Sequence, residues 1–197
     1  MWSGRQGRFR LLAAFAVLAV ALVCAAASAQ ADRIVFLVRH AEVASTGRDP
    51  ALSPLGETRA LALADILANE HPALIIVSNT QRSRQTAAAL AARTGARVRV
   101  VDVDGSSVDA HVEAVVAAVL NYVGRGAVVV VGHSNTLPRV AAALGAPAQP
   151  DLARGCFDVL WRVSLRRAGA LFEAFRYGRR LAECEPSSAS AKSNPSK

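Results

Sequence analysis

Lysine is almost missing from this chain: Lys192 and Lys197, close to the C-terminus, are its only two. The formal net charge of +8 therefore rests on arginine. The basic residues form no long cluster, and aromatic residues make up only 5% of the chain, too few for base-stacking platforms. Nucleic acid is not an expected partner. Phosphate-cradling glycine loops are missing too. The sequence has no Walker-type loop, no dinucleotide glycine fingerprint within the domain and no Gly-x-Ser-x-Gly nucleophile elbow. Gly132-His133-Ser134-Asn135 is superficially like that elbow, but its centre is a histidine. These absences leave no nucleotide cofactor to expect. There is no internal repeat. Cysteine is scarce, with Cys24, Cys156 and Cys184 alone.

The N-terminus reads as a separate object. Arg5, Arg8 and Arg10 precede an uncharged apolar run, Leu11 to Ala27, and Ala27-Ser28-Ala29 then offers small residues where a signal peptidase reads them. Residues 1–29 are expected to be a secretory signal peptide, and the protein to be exported to a periplasmic or extracellular space. The alternative is an uncleaved anchor, since the run is about long enough to span a bilayer. A membrane contact is expected only in that case. A lipoprotein signal fits poorly, because Val23 before Cys24 is bulky. Cleavage would remove three arginines and leave +5. Export implies an oxidising compartment, in which Cys156 and Cys184 could pair or stay free. Residues 185–197 are Pro, Ser, Ala and Lys with little else and are expected to be a disordered tail.

Between these ends, residues 30–184 read as one domain. Ile34 to Val38 is apolar without a polar break, as in a strand buried on both faces. Ser53-Pro54 opens a helix, with serine as N-cap and proline in the first turn. Leu74 to Val77, Val98 to Val103 and Ala127 to Val131 are further strands. Gln81 to about Arg93, Val108 to Val123 and Leu137 to Leu144 are the intervening helices. Phe157 to Leu165 and Leu171 to Arg176 form a terminal hairpin with Arg167-Ala168-Gly169 at its turn. The alternation predicts an α/β fold: three layers, α/β/α, around a mostly parallel sheet.

Ligands of such sheets bind outside the carboxyl ends of the strands. The first strand ends in Arg39-His40, the second in Ser78 with Arg82 in the next helix turn, and the fourth in Gly132-His133-Ser134-Asn135. Two arginines, two histidines and two helix N-termini make an anion site, because the guanidinium fork matches phosphate oxygens and helix N-termini offer unpaired N–H groups. A metal would want several His or carboxylate ligands without two arginines beside them, so no metal is expected. A histidine flanked by such arginines suits nucleophilic transfer of a phosphoryl group.

Leu37-Val38-Arg39-His40-Ala41-Glu42, Ser78 to Ala87 and Val131-Gly132-His133-Ser134 resemble, in order and spacing, the three motifs of the histidine phosphatase superfamily. The resemblance runs from Arg33 to about Gly178 and implies the phosphoglycerate mutase-like fold. The short chain is similar to the compact branch of phosphohistidine and small-molecule phosphatases, less so to the mutases. The resemblance implies that His40 is the nucleophile, that Arg39, Arg82 and His133 complete the phosphate pocket, and that Thr46 and Asn135 add donors to it. It also implies a substrate that is a phosphorylated small molecule or a phosphoprotein.

Two positions depart from the family pattern. Ala41 stands where the family usually has glycine, a change that costs little unless the position needs a positive φ. No acid is plainly placed as proton donor; Asp104 and Asp102 are candidates by chain position, Glu42 is another and Asp49 a weaker one. The rival expectation is a catalytically weak or inactive module that binds a phosphate ligand. Arg84 is expected on the surface, His71 at a helix end, His111 exposed and Trp161 packed in the core.

Overall fold

Ile34–Val38 forms the centre of β1 (Arg33–Arg39) in the computed structural model, and Val35, Phe36, Leu37 and Val38 are all buried. The structure describes residues 32–44, 47–103, 107–180 and Cys184. The expected signal peptide and tail, and with them Thr46 and Asp104, lie outside the described residues. Among the described residues no helix is long and apolar enough to cross a membrane.

The elements follow the expected alternation: β1, α1 (Pro54–Leu67), a 3-10 turn (Ala68–Glu70), β2 (Pro72–Ser78), α2 (Gln81–Thr94), β3 (Arg97–Val101), α3 (Val108–Leu120), β4 (Ala127–Gly132), α4 (Leu137–Ala143), β5 (Val159–Arg166) and β6 (Gly169–Arg176). Local chemistry sets the boundaries. The Ser53 hydroxyl accepts the Gly56 N–H at 3.1 Å and caps α1. Gly95, at φ +70°, ends α2 in the left-handed conformation that glycine adopts without strain. His71 does close the first helical segment, at the end of its 3-10 turn. The third strand ends at Val101 rather than Val103, and Arg97 to Val100 are exposed because β3 is the sheet edge.

The strand order is β3-β2-β4-β1-β5-β6. β1, β2, β3 and β4 pair in parallel, and the β5–β6 hairpin joins antiparallel at β1. Alternate residues feed two cores. Val35, Leu37, Leu74, Ile76, Val128 and Val130 pack with α3 and α4. Phe36, Val38, Ile75, Val77, Val129 and Val131 pack with α1 and α2. The architecture is therefore three-layered, α/β/α, and the unbroken apolar runs follow from helices covering both faces of the sheet. Trp161 is buried, edge-on to Phe172 at 5.8 Å between ring centroids. A disulfide joins Cys156 and Cys184, whose Cα atoms are 5.0 Å apart.

The order places β1 beside β4, with Arg39 opposite Gly132. His40 and His133 thus leave neighbouring strands side by side, and the His40 N–H donates to the Gly132 carbonyl at 3.0 Å. The loop after His40 rests on the start of α1. The Glu42 carbonyl accepts the Ser53 N–H at 2.9 Å, and a Cβ on Gly56 would stand 2.1 Å from that same oxygen. Backbone cannot yield as a flexible side chain does. Gly56→Ala is accordingly expected to destabilise the fold by about 1–3 kcal/mol, read as a lower urea midpoint with an unchanged slope.

Candidate active site

His40 is 8% exposed. Its Nδ1 lies 2.8 Å from the Ala41 carbonyl oxygen. A carbonyl only accepts, so Nδ1 carries the proton and Nε2 keeps its lone pair. Burial, with Arg39 and Arg82 acting in the same direction, lowers the His40 pKa to about 4 although the Ala41 bond opposes it. The ring is neutral at physiological pH, with its bare nitrogen available for bonding.

Ala41 is fully buried, and its N–H donates to Thr86 Oγ1 at 2.9 Å. Thr86 in turn donates to the Arg82 carbonyl at 2.8 Å. Among the described residues, His71 is the one non-glycine residue with positive φ. Alanine in place of the family's glycine is therefore unstrained at position 41. The Thr86 bond, which ties the loop after His40 to α2, is a contact that sequence reasoning missed.

Arg39 is 7% exposed. Its Nη1 donates to the carbonyls of Ala153, Arg154 and Cys156 at 2.9, 2.9 and 3.0 Å. The guanidinium lies over the Phe157 ring at 4.1 Å, and that ring is 5.9 Å from His40. One edge of the fork thus anchors the segment before the hairpin. On the other edge Nε is buried and has no hydrogen-bond partner among the described residues. Burial lowers Arg39 to about 10, so it stays cationic at neutral pH.

Arg82 opens α2, and its Nη1 is 3.7 Å from Asp49 Oδ1. The same Asp49 oxygen accepts the Gln81 N–H at 2.8 Å. Asp49 is thus engaged in holding Arg82 and the start of α2. His133 lies 5.4 Å from His40 between ring centroids, and its Nε2 meets the Ser78 hydroxyl at 3.0 Å. Burial, then His40 and Arg82, lower the His133 pKa to about 3. Ser78 and Thr80 both donate to Ser83 at 2.9 and 3.2 Å, so a hydroxyl network supports that imidazole.

The remaining acid candidates sit differently from expectation. Glu42 is buried, and both of its oxygens accept from Arg59: Nε at 2.9 Å to each, and Nη2 to Oε1 at 2.8 Å. It is one half of an internal ion pair, which removes it from the proton-donor candidates. Arg59 completes its shell with the carbonyls of Tyr177 and Arg179, both at 3.0 Å. Asp102 has an exposed side chain, and its carbonyl receives Nδ1 of His111 at 3.0 Å.

His111 corrects an expectation of exposure: it is 5% exposed. It sits on the buried stripe of α3 with Val112, Val115 and Val119, and that spacing was the available signal. With Arg82, Val103, Ser107, Val108, His133, Asn135 and Thr136 it lines a cavity of about 200 Å³. Arg84, as expected, is exposed. Among the described residues no group of three or more His, Cys, Asp or Glu side chains could hold a metal.

Residues 35–105 match the model of the histidine phosphatase superfamily (branch 1). A segment of 52 residues is 46% identical to glucosyl-3-phosphoglycerate phosphatase of Mycobacterium tuberculosis; it is 26% of this chain and 23% of that protein. Among solved structures, the candidate phosphohistidine phosphatase SixA from Nakamurella multipartitia is 25% identical, with a TM-score of 0.53 over 74% of this chain and 96% of that one. The mycobacterial glucosyl-3-phosphoglycerate phosphatase bound to inorganic phosphate is 22% identical, with a TM-score of 0.56 over 73% of this chain and 95% of that one. It is similar in fold.

Proposed function

We propose, from the premise that this chain belongs to the histidine phosphatase superfamily, that it hydrolyses phosphate monoesters or phosphoramidates through a phosphohistidine on His40. The observation that carries the reading is the pairing of two unspent groups. His40 presents a neutral ring with a bare Nε2, and beside it Arg39 holds a buried Nε–H without a partner among the described residues. A phosphoryl group answers both: its phosphorus is the electrophile for Nε2, and one of its oxygens is the acceptor that Nε–H lacks.

In the first step Nε2 attacks phosphorus in line with the leaving group. Arg39 and Arg82 stabilise charge on the equatorial oxygens, and His133 borders the same group. Water then displaces phosphate from His40. The two guanidiniums supply the positive charge that a divalent cation would otherwise bring, so the reaction proceeds without metal. Asn135 and Thr46 are the remaining proposed phosphate contacts. The substrate is a phosphorylated small molecule or a phosphoprotein, and the leader sequence up to Ala29 supports work outside the cytoplasm.

The acid side of the rate profile tests this reading. Only neutral His40 attacks, so kcat/KM falls as it protonates. With p-nitrophenyl phosphate in EDTA, after dividing out the ester's own ionisation near pH ~6, activity is expected to hold from pH ~7 to ~5 and to fall only around a pKa of about 4. A half-loss near 6.5, or loss in EDTA at every pH, counts against it. A second reading, a phosphate-ligand binding module without turnover, draws on the cavity lining, which includes no carboxylate among the described residues. Tight phosphate binding with no turnover on any ester would favour that module.

A further inference from the structure

The cavity of about 200 Å³ includes Arg82 and His133 in its lining but not His40. An in-line displacement sends the leaving group to the side of phosphorus opposite the nucleophile. With phosphate held among His40, Arg39, Arg82 and His133, a cavity that shares Arg82 and His133 but not the nucleophile is where the leaving alcohol has room. Val103 and Val108 give that cavity an apolar wall, and Ser107 and Asn135 give it polar contacts.

One titratable group in that lining lies outside the phosphate pocket proper. His111 is 5% exposed, and its Nδ1 is 3.0 Å from the Asp102 carbonyl. The carbonyl accepts, so Nδ1–H is committed and Nε2 is the nitrogen left to exchange a proton with a ligand. We propose that His111 is the proton donor to the leaving oxygen, the role for which the cavity lining holds no carboxylate among the described residues. The proposal rests on the phosphatase reading above.

The step balances. His40 Nε2 forms the N–P bond while the P–O bond to the alcohol breaks with its electron pair staying on oxygen. That oxygen takes the proton from Nε2 of cationic His111, which becomes neutral. In the second half, neutral His111 takes a proton from water as the water oxygen bonds phosphorus. The N–P bond breaks, its pair returns to His40, and His111 is again cationic. The titratable groups that share its cavity are Arg82 from α2 and His133 after β4, while Asp109 on its own helix pairs with Arg139 of α4 at 2.7 Å.

Leaving-group dependence separates this role from a structural one, because a poor leaving group needs the proton and a good one does not. His111→Gln is expected to lower kcat/KM on ethyl phosphate by about 10²-fold or more while changing it less than ~3-fold on p-nitrophenyl phosphate. Equal losses on both esters, or no loss on either, would overturn the proposal. If that variant does not fold, wild type decides. Its profile with ethyl phosphate should fall on the basic side where the aryl ester's does not, and identical basic limbs overturn the proposal. Failure of the phosphatase reading itself looks different: wild type would hydrolyse neither ester.

Discussion

Replacing His40 by alanine is expected to abolish turnover while leaving the fold and phosphate binding in place. A nucleophile has no substitute among its neighbours here. His133 Nε2 is engaged with Ser78, and Arg39 is cationic. The expected loss in kcat is at least ~10⁴-fold, the scale seen when a covalent catalyst loses its attacking atom. Binding should survive because the arginines are positioned independently of the imidazole. Three loop carbonyls hold Arg39, and Asp49 lies beside Arg82. The backbone bond from residue 40 to the Gly132 carbonyl does not depend on the side chain either. Steady-state assay beside a calorimetric phosphate titration checks both halves. A variant that keeps full turnover removes His40 from the mechanism.

The second large effect falls on stability. Arg59 is 2% exposed in α1, and the only carboxylate it reaches among the described residues is Glu42. Taking away Glu42 leaves that guanidinium buried with two carbonyls, and a broken buried pair costs about 3–5 kcal/mol. Glu42→Ala is therefore expected to lower the unfolding midpoint sharply at neutral pH. Glu42→Gln, which keeps an acceptor of the same size, should lose clearly less. Activity should fall with the alanine variant as well, since Glu42 lies two residues past His40 on the loop that α1 steadies. An unchanged midpoint for Glu42→Ala would mean that the pair is not what fixes that loop.

Strand ends and anion chemistry were readable from the chain because parallel strands deliver their carboxyl ends to one edge whatever the loops do. Arg39, His40 and His133 sit at such positions, and Arg82 lies in the first turn of the helix that follows one. What was hidden depends on pairs far apart in sequence. Glu42 looked like a free acid near His40, and only the fold brings Arg59 to it. A signal was present: Arg59 falls on the buried stripe of α1 with Gly56, Ala60 and Leu63, where an unpaired cation could not stay. His111 was hidden similarly, since its place near a helix start suggested exposure while its spacing with Val115 and Val119 placed it inward. The double duty of Arg39 had no local signature, because its carbonyl partners lie more than a hundred residues away, at 153, 154 and 156.

The most direct test of the account is rapid-quench labelling of the protein with a radioactive phosphoryl donor, wild type beside His40→Ala. The account predicts acid-labile, alkali-stable label on wild type and none on the variant, with the label mapping to His40. Turnover by wild type with no such label, or label that survives in His40→Ala, would contradict a phosphohistidine at that position.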